Sequence, residues 1–195
     1  MNNEERATYF SQINDAQNKF YKQTPKNNIF RRAQKINCAE YVVSEMNLEK
    51  MIECAIFIIP NTNIIFYNYL VLKTFANQTV HLLLYEYTLH LIQEILKKYQ
   101  SFEFHANLKS FTISAFQRYF TVITTFLDDS TEEISSKMSR IVIYNTPKVI
   151  DQMTMLLMKT LNNIGGKITF HREESDTIID GLLTATNKKH DATKV

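Results

Sequence analysis

The pattern of hydrophobic and polar positions is most informative over residues 139–171. A β-rich apolar run over 140–144 ends at Asn145-Thr146-Pro147, where proline favours the first turn of a helix. The helix that follows is about four turns long and ends before Gly165-Gly166, the only adjacent glycines of the chain, which favour a helix end. Residues 167–171 then alternate like a strand. A strand that returns through a helix to a parallel strand makes a right-handed crossover, so the segment predicts the middle of a helix-covered sheet.

The same two kinds of pattern recur along the rest of the chain. Helical periodicity predicts helices over 1–24, over 28–53 in one or two pieces, and over 78–99, 112–127 and 175–183. β-rich runs predict a hairpin of strands 55–59 and 64–73 and a further strand over 102–108, and residues 128–138 form a polar connection. Asn37 is the expected cap of a helix in the second block, with Glu40 in the capping-box position. Strands that alternate with helices after a helical block predict an α/β fold with a mixed sheet.

Two of these helices carry more apolar surface than one buried stripe requires. The apolar residues of the helix over 148–161 surround most of its circumference and are Val149, Ile150, Met153, Met155, Leu156, Leu157, Met158 and Leu161. Those of the helix over 112–127 form a broad sector and are Ile113, Ala115, Phe116, Tyr119, Phe120, Val122, Ile123, Phe126 and Leu127. Such surplus must contact a core, a partner protein or lipid. Core packing alone accounts for any one of these residues. The functional hypothesis depends on the total apolar surface that they form together.

Composition and charge narrow the class of protein. The 195 residues, 45% of them hydrophobic, suffice for one domain with a sizeable core, or for one with a short helical extension. With 22 basic and 20 acidic residues the net charge is +2, which provides no broad field for nucleic acid.

The expected location follows from the cysteines and from the absence of targeting signals. Cys38 and Cys54 form neither a metal-binding spacing nor a disulfide framework, so we expect a reducing compartment. The polar first ten residues do not resemble a targeting segment, and no apolar run has the length of a membrane span. We therefore expect a cytoplasmic protein, or one bound peripherally to an intracellular membrane.

Signals for catalysis are weak. The sequence contains no glycine-rich phosphate loop, no G-x-S-x-G and no H-E-x-x-H. Glu103 and His105 share a strand face and His171 follows a parallel strand nearby, an arrangement that would suit a metal or acid/base site. Histidines at strand ends are more often satisfied polar groups, and no three ligands have a recognisable spacing. The sequence therefore predicts no enzyme, no metal site and no cofactor.

Four segments are informative because of their order along the chain. They are RRAQKIN (Arg31 to Asn37), FHANLKSFTISAF (Phe104 to Phe116), KMSRIVIYNTPKVI (Lys137 to Ile150) and LLMKTLNNIGGKITF (Leu156 to Phe170). In this order they resemble the lipid-binding CRAL-TRIO domain family. The resemblance implies a mixed, mostly parallel sheet flanked by helices, with an N-terminal helical block over 1–53, a lipid-binding domain over 54–186 and a mobile tail over 187–195. It also implies that the helix over 148–161 gates a lipid cavity.

The chain departs from the family pattern at several motif positions. The aspartate and glycine that the family has at a strand-to-helix turn are Asn107 and Ser110 here. In phosphatidylinositol-transfer members a glutamate, a threonine and a lysine surround the inositol headgroup, and the corresponding positions are Ser136, Ile164 and Lys167. Only the lysine matches. The resemblance therefore implies a phosphate contact at Lys167 without implying inositol specificity.

Two hypotheses for function follow. The first is non-enzymatic binding or transfer of a hydrophobic ligand, above all a phospholipid, at a membrane surface. The residues expected to bind the ligand are Phe116, Phe120, Ile123, Met153, Leu156, Leu157, Leu161 and Lys167. The second is a degenerate CRAL-TRIO module, its cavity filled by side chains, that serves as a structural or interaction subunit with a protein partner. The missing headgroup residues and the many Phe, Tyr and Met residues favour the second hypothesis. We nevertheless place lipid binding ahead of it. Neither hypothesis involves nucleic acid.

Overall fold

The computed structural model of the protein describes residues 1–26, 31–129, 132–148, 150–157, 165–172 and 175–184. The α-helices in this part of the chain are α1 (Asn3–Gln23), α2 (Arg31–Glu45), α3 (Leu48–Ala55), α4 (Tyr69–Leu72), α5 (His81–Leu96), α6 (Ile113–Asp129), α7 (Glu132–Lys137), α8 (Ile150–Leu157) and α9 (Asp176–Thr184). The strands are β1 (Ile56–Ile58), β2 (Ile64–Asn68), β3 (Phe102–Asn107), β4 (Met138–Tyr144) and β5 (Ile168–Phe170). Short 3-10 turns, Gln78–Val80 and Gly165–Lys167, precede α5 and β5.

The strands of the described chain form one sheet in the order β1-β2-β3-β4-β5. β1 and β2 form an antiparallel hairpin, whose turn contains Asn61 at a φ of 58°, a left-handed conformation that asparagine tolerates better than most residues. The pairs β2/β3, β3/β4 and β4/β5 are parallel. Each crossover steps to the next strand in the same direction, so right-handed connections place α5, α6 and α8 on the same side of the sheet. We call this side the crossover face.

The main hydrophobic core lies on the crossover face. Alternate strand residues point to this face, and Ile56, Ile65 and Phe102 are buried there in one cluster with residues of α5 and α6. The N-terminal helices join the same cluster through Ile13 and Met51. The helical block at the start of the chain and the sheet therefore share a continuous core.

The opposite side of the sheet, which we call the α9 face, is covered more thinly. Its buried cluster consists of Phe57, Ile59, Phe66, Val142, Tyr144 and Ile179. The helix α1 reaches this face as well, because the Arg6 guanidinium carbon lies 3.7 Å from the centroid of the Phe57 ring. Asn3 Nδ2 donates to the carbonyl oxygen of Leu183 at 2.8 Å. Contacts from α9 and from the start of α1 thus close a second, smaller core.

The predicted class, an α/β fold with a mixed sheet flanked by helices, is confirmed. The hairpin and the strand-helix-strand crossover are confirmed too. The tail over 187–195 and the end of the helix predicted over 148–161 lie outside the described residues.

The expected cap at Asn37 is wrong. Asn37 lies inside α2, and the cap of the next helix is Asn47, whose side chain accepts a hydrogen bond from the Lys50 amide at 2.9 Å. Residues that follow Asn37, such as Cys38 and Val42, are buried. Burial of this helix face outweighs the weak local preference of one asparagine for a helix end.

Two element boundaries also differ from the sequence prediction. The strand predicted to extend to residue 73 stops at Asn68, whose side chain accepts from the Leu70 amide at 3.1 Å and begins α4. The polar connection over 128–138 contains the helix α7. Apolar runs predict burial more securely than they predict backbone conformation, and polar runs do not exclude a short helix.

Replacing Phe102 with alanine should test the position of the main core. Phe102 is fully buried, so Phe102→Ala should lower the free energy of unfolding by about 3–5 kcal/mol, measured by urea denaturation. The matched control is Ile178→Ala on the exposed side of α9, which should change that free energy by less than about 0.5 kcal/mol. Similar losses for both variants would contradict this core.

Candidate functional site

The two helices with surplus apolar surface, α6 and α8, meet near their N-terminal ends. Phe116 of α6 and Ile150 of α8 are buried together in a small cluster, against which Phe111, Ile113, Ile123 and Phe170 pack. Both helices start where a parallel strand ends, so the cluster lies at the carboxyl edge of the sheet. Of the residues predicted to bind a ligand, the structure brings Phe116 and Ile123 together here.

Large apolar side chains remain exposed at the same end of the three crossover helices. Met155 on α8 is 74% exposed and Leu82 on α5 is 65% exposed, and Leu83 and Phe120 are exposed as well. All four lie in the first three turns of their helices. We call Leu82, Leu83, Phe120 and Met155 the apolar end of the crossover helices.

The members of the apolar end are linked by contacts between their neighbours. The rings of His81 and Tyr119, which directly precede Leu82 and Phe120 in the chain, have centroids 5.8 Å apart. The Phe120 ring packs edge-on against the buried Phe116 ring at a centroid distance of 5.5 Å. Apolar surface is therefore continuous from the buried cluster at Phe116 to the exposed ring of Phe120.

The other predicted ligand-binding residues on α8 have no described side chain. Met153, Leu156 and Leu157 belong to α8, but their side chains lie outside the described residues, as does the whole of Leu161. Their part in a cavity stays a prediction.

Lys167 has a structural role. Its Nζ donates to the carbonyl oxygens of Ser135 at 2.8 Å and Met138 at 2.7 Å. These bonds join the 3-10 turn before β5 to the junction of α7 and β4. A phosphate contact at this amine would compete with both carbonyl oxygens.

Basic side chains surround the carboxyl edge of the sheet. Lys148, just before α8, is exposed, and Lys73 Nζ donates to Ser110 Oγ at 2.8 Å. Burial, with a smaller effect of Lys35, lowers the pKa of Lys73 below its usual value. Two further cations are already paired, Lys109 with Asp176 and Arg172 with Asp151. Lys148 and Lys73 are therefore two cations of this edge for which the described chain provides no carboxylate partner.

A second polar cluster occupies the α9 face. His105 Nε2 lies 2.9 Å from Glu103 Oε2, and His105 Nδ1 lies 2.9 Å from Tyr144 Oη. The Tyr144 ring stacks on His171, with centroids 5.2 Å apart and an angle of 17° between the planes. His105 is 5% exposed and Tyr144 is 4% exposed. Burial lowers the pKa of His105 below its usual value and raises the pKa of Tyr144 above its own.

The sequence indicated part of this cluster. Glu103 and His105 were expected on one strand face with His171 nearby; Glu103 contacts His105, and both histidines contact Tyr144. Tyr144 was missed, because its position beside His105 depends on the register of β3 against β4. No group of three or more His, Cys, Asp or Glu side chains among the described residues is arranged to hold a metal ion.

The turn after β4 fastens α9 to the carboxyl edge. Asn145, at a φ of 49°, donates through Nδ2 to Asn107 Oδ1 at 2.9 Å and to Asp176 Oδ1 at 3.0 Å. Its Oδ1 accepts from the Ser175 amide at 2.9 Å. The hydrogen bond from Lys109, with a further contribution from Asn145, holds the pKa of Asp176 below its usual value. The first residue of α9 is thus held by ionic and neutral hydrogen bonds.

Comparison with protein-family models, curated proteins and solved structures finds no match to this chain. The likeness to the CRAL-TRIO family stays a prediction from the sequence segments. None of the helices in the described part of the chain combines the length and apolarity that crossing a membrane requires.

Replacing Lys167 with methionine should separate a structural role from ligand binding. Lys167→Met keeps most of the aliphatic stem but removes both hydrogen bonds to carbonyl oxygens, so thermal or urea unfolding should show a loss of about 1–3 kcal/mol in stability. The control is Lys148→Met, which changes an exposed lysine at the opposite, carboxyl edge of the sheet and should leave stability nearly unchanged. Unaltered stability of Lys167→Met would refute the structural assignment.

Proposed function

We propose that this chain is a non-enzymatic binder of a hydrophobic ligand, a phospholipid, and that it visits membrane surfaces peripherally through the apolar end of its crossover helices. The observation that carries the proposal is the exposure of Leu82, Leu83, Phe120 and Met155 at one end of α5, α6 and α8. Proteins rarely leave large apolar side chains clustered in water unless that surface contacts something else.

The magnitude of the hydrophobic effect supports a lipid contact. Burial of a Leu, Met or Phe side chain contributes about 1.5–3 kcal/mol. Four such groups at one end of a helical layer provide enough free energy for reversible association with a bilayer, where apolar side chains enter the boundary between headgroups and acyl chains. The buried Phe116 and the exposed Phe120 provide a continuous apolar path from this surface inward.

The attachment of α8 supports its role as a gate. In the described chain α8 is anchored by the buried Ile150, and the ion pair between Asp151 and Arg172 is exposed. Exposed ion pairs contribute little to stability. A weak ion pair at the start of α8 would offer little resistance to an outward swing of this helix, which would expose apolar surface to lipid as it admits an acyl chain.

The charge at the carboxyl edge favours an anionic membrane. Lys148 lies just before α8, Lys73 bonds Ser110 before α6, and neither has a carboxylate partner in the described chain. Basic side chains near a bilayer contribute about 1 kcal/mol each when anionic lipids are present. We therefore expect vesicles that contain phosphatidylserine to be bound better than neutral vesicles.

The second candidate function is an interaction subunit with a protein partner. Two observations favour it. Phe116 and Ile150 pack together at the junction of α6 and α8, and the Lys167 amine already donates to two carbonyl oxygens at the junction of α7 and β4. A junction packed with side chains and an occupied amine would suit a module that has lost its ligand. The apolar end would then cover a protein surface.

Vesicle binding of a charge variant tests the proposal. Met155→Glu places a carboxylate on an exposed position, so the fold should persist while binding to vesicles of phosphatidylcholine and phosphatidylserine falls by about tenfold or more. Binding is measured by flotation with sucrose-density gradients. The matched control is Ile178→Glu, the same replacement at an exposed residue of α9 on the other side of the sheet, and it should bind like the native chain.

Lipid extraction separates the two candidate functions. Mass spectrometry of an organic extract of the native protein should show a phospholipid near one equivalent. Native-like vesicle binding by Met155→Glu, or an extract without lipid from a protein that co-purifies with a stoichiometric protein partner, would overturn lipid binding in favour of the interaction subunit.

A further inference from the structure

The polar cluster on the α9 face has a defined arrangement of hydrogen atoms. An ionised Glu103 can only accept, so the hydrogen of a neutral His105 resides on Nε2, the atom 2.9 Å from the carboxylate. His105 Nδ1 is then an acceptor, and the hydroxyl of Tyr144 donates to it. In this state each polar atom of His105 is satisfied although the ring is buried. The arrangement is complete only while His105 is neutral.

A proton on His105 Nδ1 breaks this arrangement. Nδ1 becomes a donor, so the Tyr144 oxygen must accept, and the hydroxyl hydrogen of Tyr144 needs a new acceptor. The Tyr144 hydroxyl makes no second hydrogen bond within the described chain, and His171 presents its ring face, since the two rings are stacked. An unsatisfied buried hydroxyl has a free-energy cost. Admission of water to Tyr144 would remove that cost.

The helix α9 covers the buried cluster that contains Tyr144. Tyr144 and Ile179 belong to one buried cluster, against which Leu182 and Leu183 pack. The start of α9 is fastened through Ser175 and Asp176, whereas its later turns are held by these apolar contacts and by the bond from Asn3 to the Leu183 carbonyl. The helix can therefore move away from the sheet about its fastened end.

The described charged groups that affect protonation of His105 come from the elements packed around it. Glu103 on β3 favours its protonation, while Arg140 on β4 and His171 after β5 oppose it. On α9, Asp176 is paired with Lys109 and Asp180 is exposed. From α1, Arg6 lies over the Phe57 ring in the same layer. Among the described residues, protonation thus adds a charge to a layer that contains one carboxylate partner, Glu103, for His105.

We propose that His105 is a pH-sensitive switch: its protonation reverses the hydrogen bond with Tyr144, releases the C-terminal turns of α9 from the sheet and exposes the apolar α9 face in mildly acidic surroundings. The switch lies on the side of the sheet opposite the apolar end and is independent of lipid binding.

The direction of the pH dependence follows from burial of the imidazole. The pKa of His105 in the closed protein is lowered by burial, and a freely solvated histidine has a pKa of about 6.5. The open form therefore binds the proton first, so the closed form loses stability as the pH falls from about 6.5 towards the lowered pKa, and it keeps its full stability above that window.

Amide hydrogen exchange of the native chain tests the switch. Exchange of the peptide over 176–184, corrected for the intrinsic effect of pH, should be faster at about pH 5.5 than at about pH 7.5, by up to about tenfold per pH unit within the window. His105→Gln keeps a donor and an acceptor but cannot titrate, and should abolish this response. His81→Gln is the matched control, because burial also lowers the pKa of His81 but His81 lies on α5; its response should equal that of the native chain.

A second variant and a second measurement guard against misfolding of the first. Tyr144→Phe keeps the ring and the titration of His105 but removes the hydroxyl, so the response of α9 should shrink while the imidazole still titrates. In the native chain, nuclear magnetic resonance should give one common midpoint for the His105 ring and the α9 amides. Unchanged exchange of α9 between the two pH values, a retained response in His105→Gln, or separate midpoints would each overturn the switch.

Discussion

The sequential order of the strands constrains everything else in this structure. Because β2, β3, β4 and β5 are parallel and each crossover advances by one strand in the same direction, the helices α5, α6 and α8 all lie on one side of the sheet. In the described part of the chain, the other side receives only α9 and the beginning of α1. The crossover face thus has a thick apolar cover and a large core. The α9 face has a thinner cover, over phenylalanine, histidine and tyrosine side chains. The two candidate functional regions arise from this asymmetry.

The crossover face has more apolar side chains than its own core buries. Three helices start at the same carboxyl edge, and each must bury one stripe against the sheet. Side chains such as Leu82 and Met155, which lie off that stripe, remain in water. The α9 face differs, since it buries the polar side chains of His105 and Tyr144 among apolar ones. His105 and Tyr144 satisfy one another there, which stabilises the closed arrangement only in one protonation state.

The sequence predicted the features that depend on local pattern. Alternation and turn residues located the hairpin around Asn61 and the crossover at Pro147, and the class of the fold followed from their order. Features that depend on contacts between distant parts of the chain could not be predicted from the sequence. The contact of His105 with Tyr144 needs the register of two strands 39 residues apart, and the bonds of Lys167 need the path of α7. Asn37 was misjudged because burial of the α2 face, a tertiary effect, overrides a local cap preference.

The turn after β4 connects the two faces. Asn145 adopts a left-handed backbone conformation, which bends the chain away from the sheet before α8 begins on the crossover face. The side chain of the same residue contacts Asn107 at the end of β3 and both Ser175 and Asp176 at the start of α9. The amide of the next residue, Thr146, donates to the carbonyl oxygen of His171 at 3.1 Å and so ties the turn to the end of β5. Because this rigid turn fixes the beginnings of α8 and α9, motion of either helix must pivot there, and movement at one face need not propagate to the other.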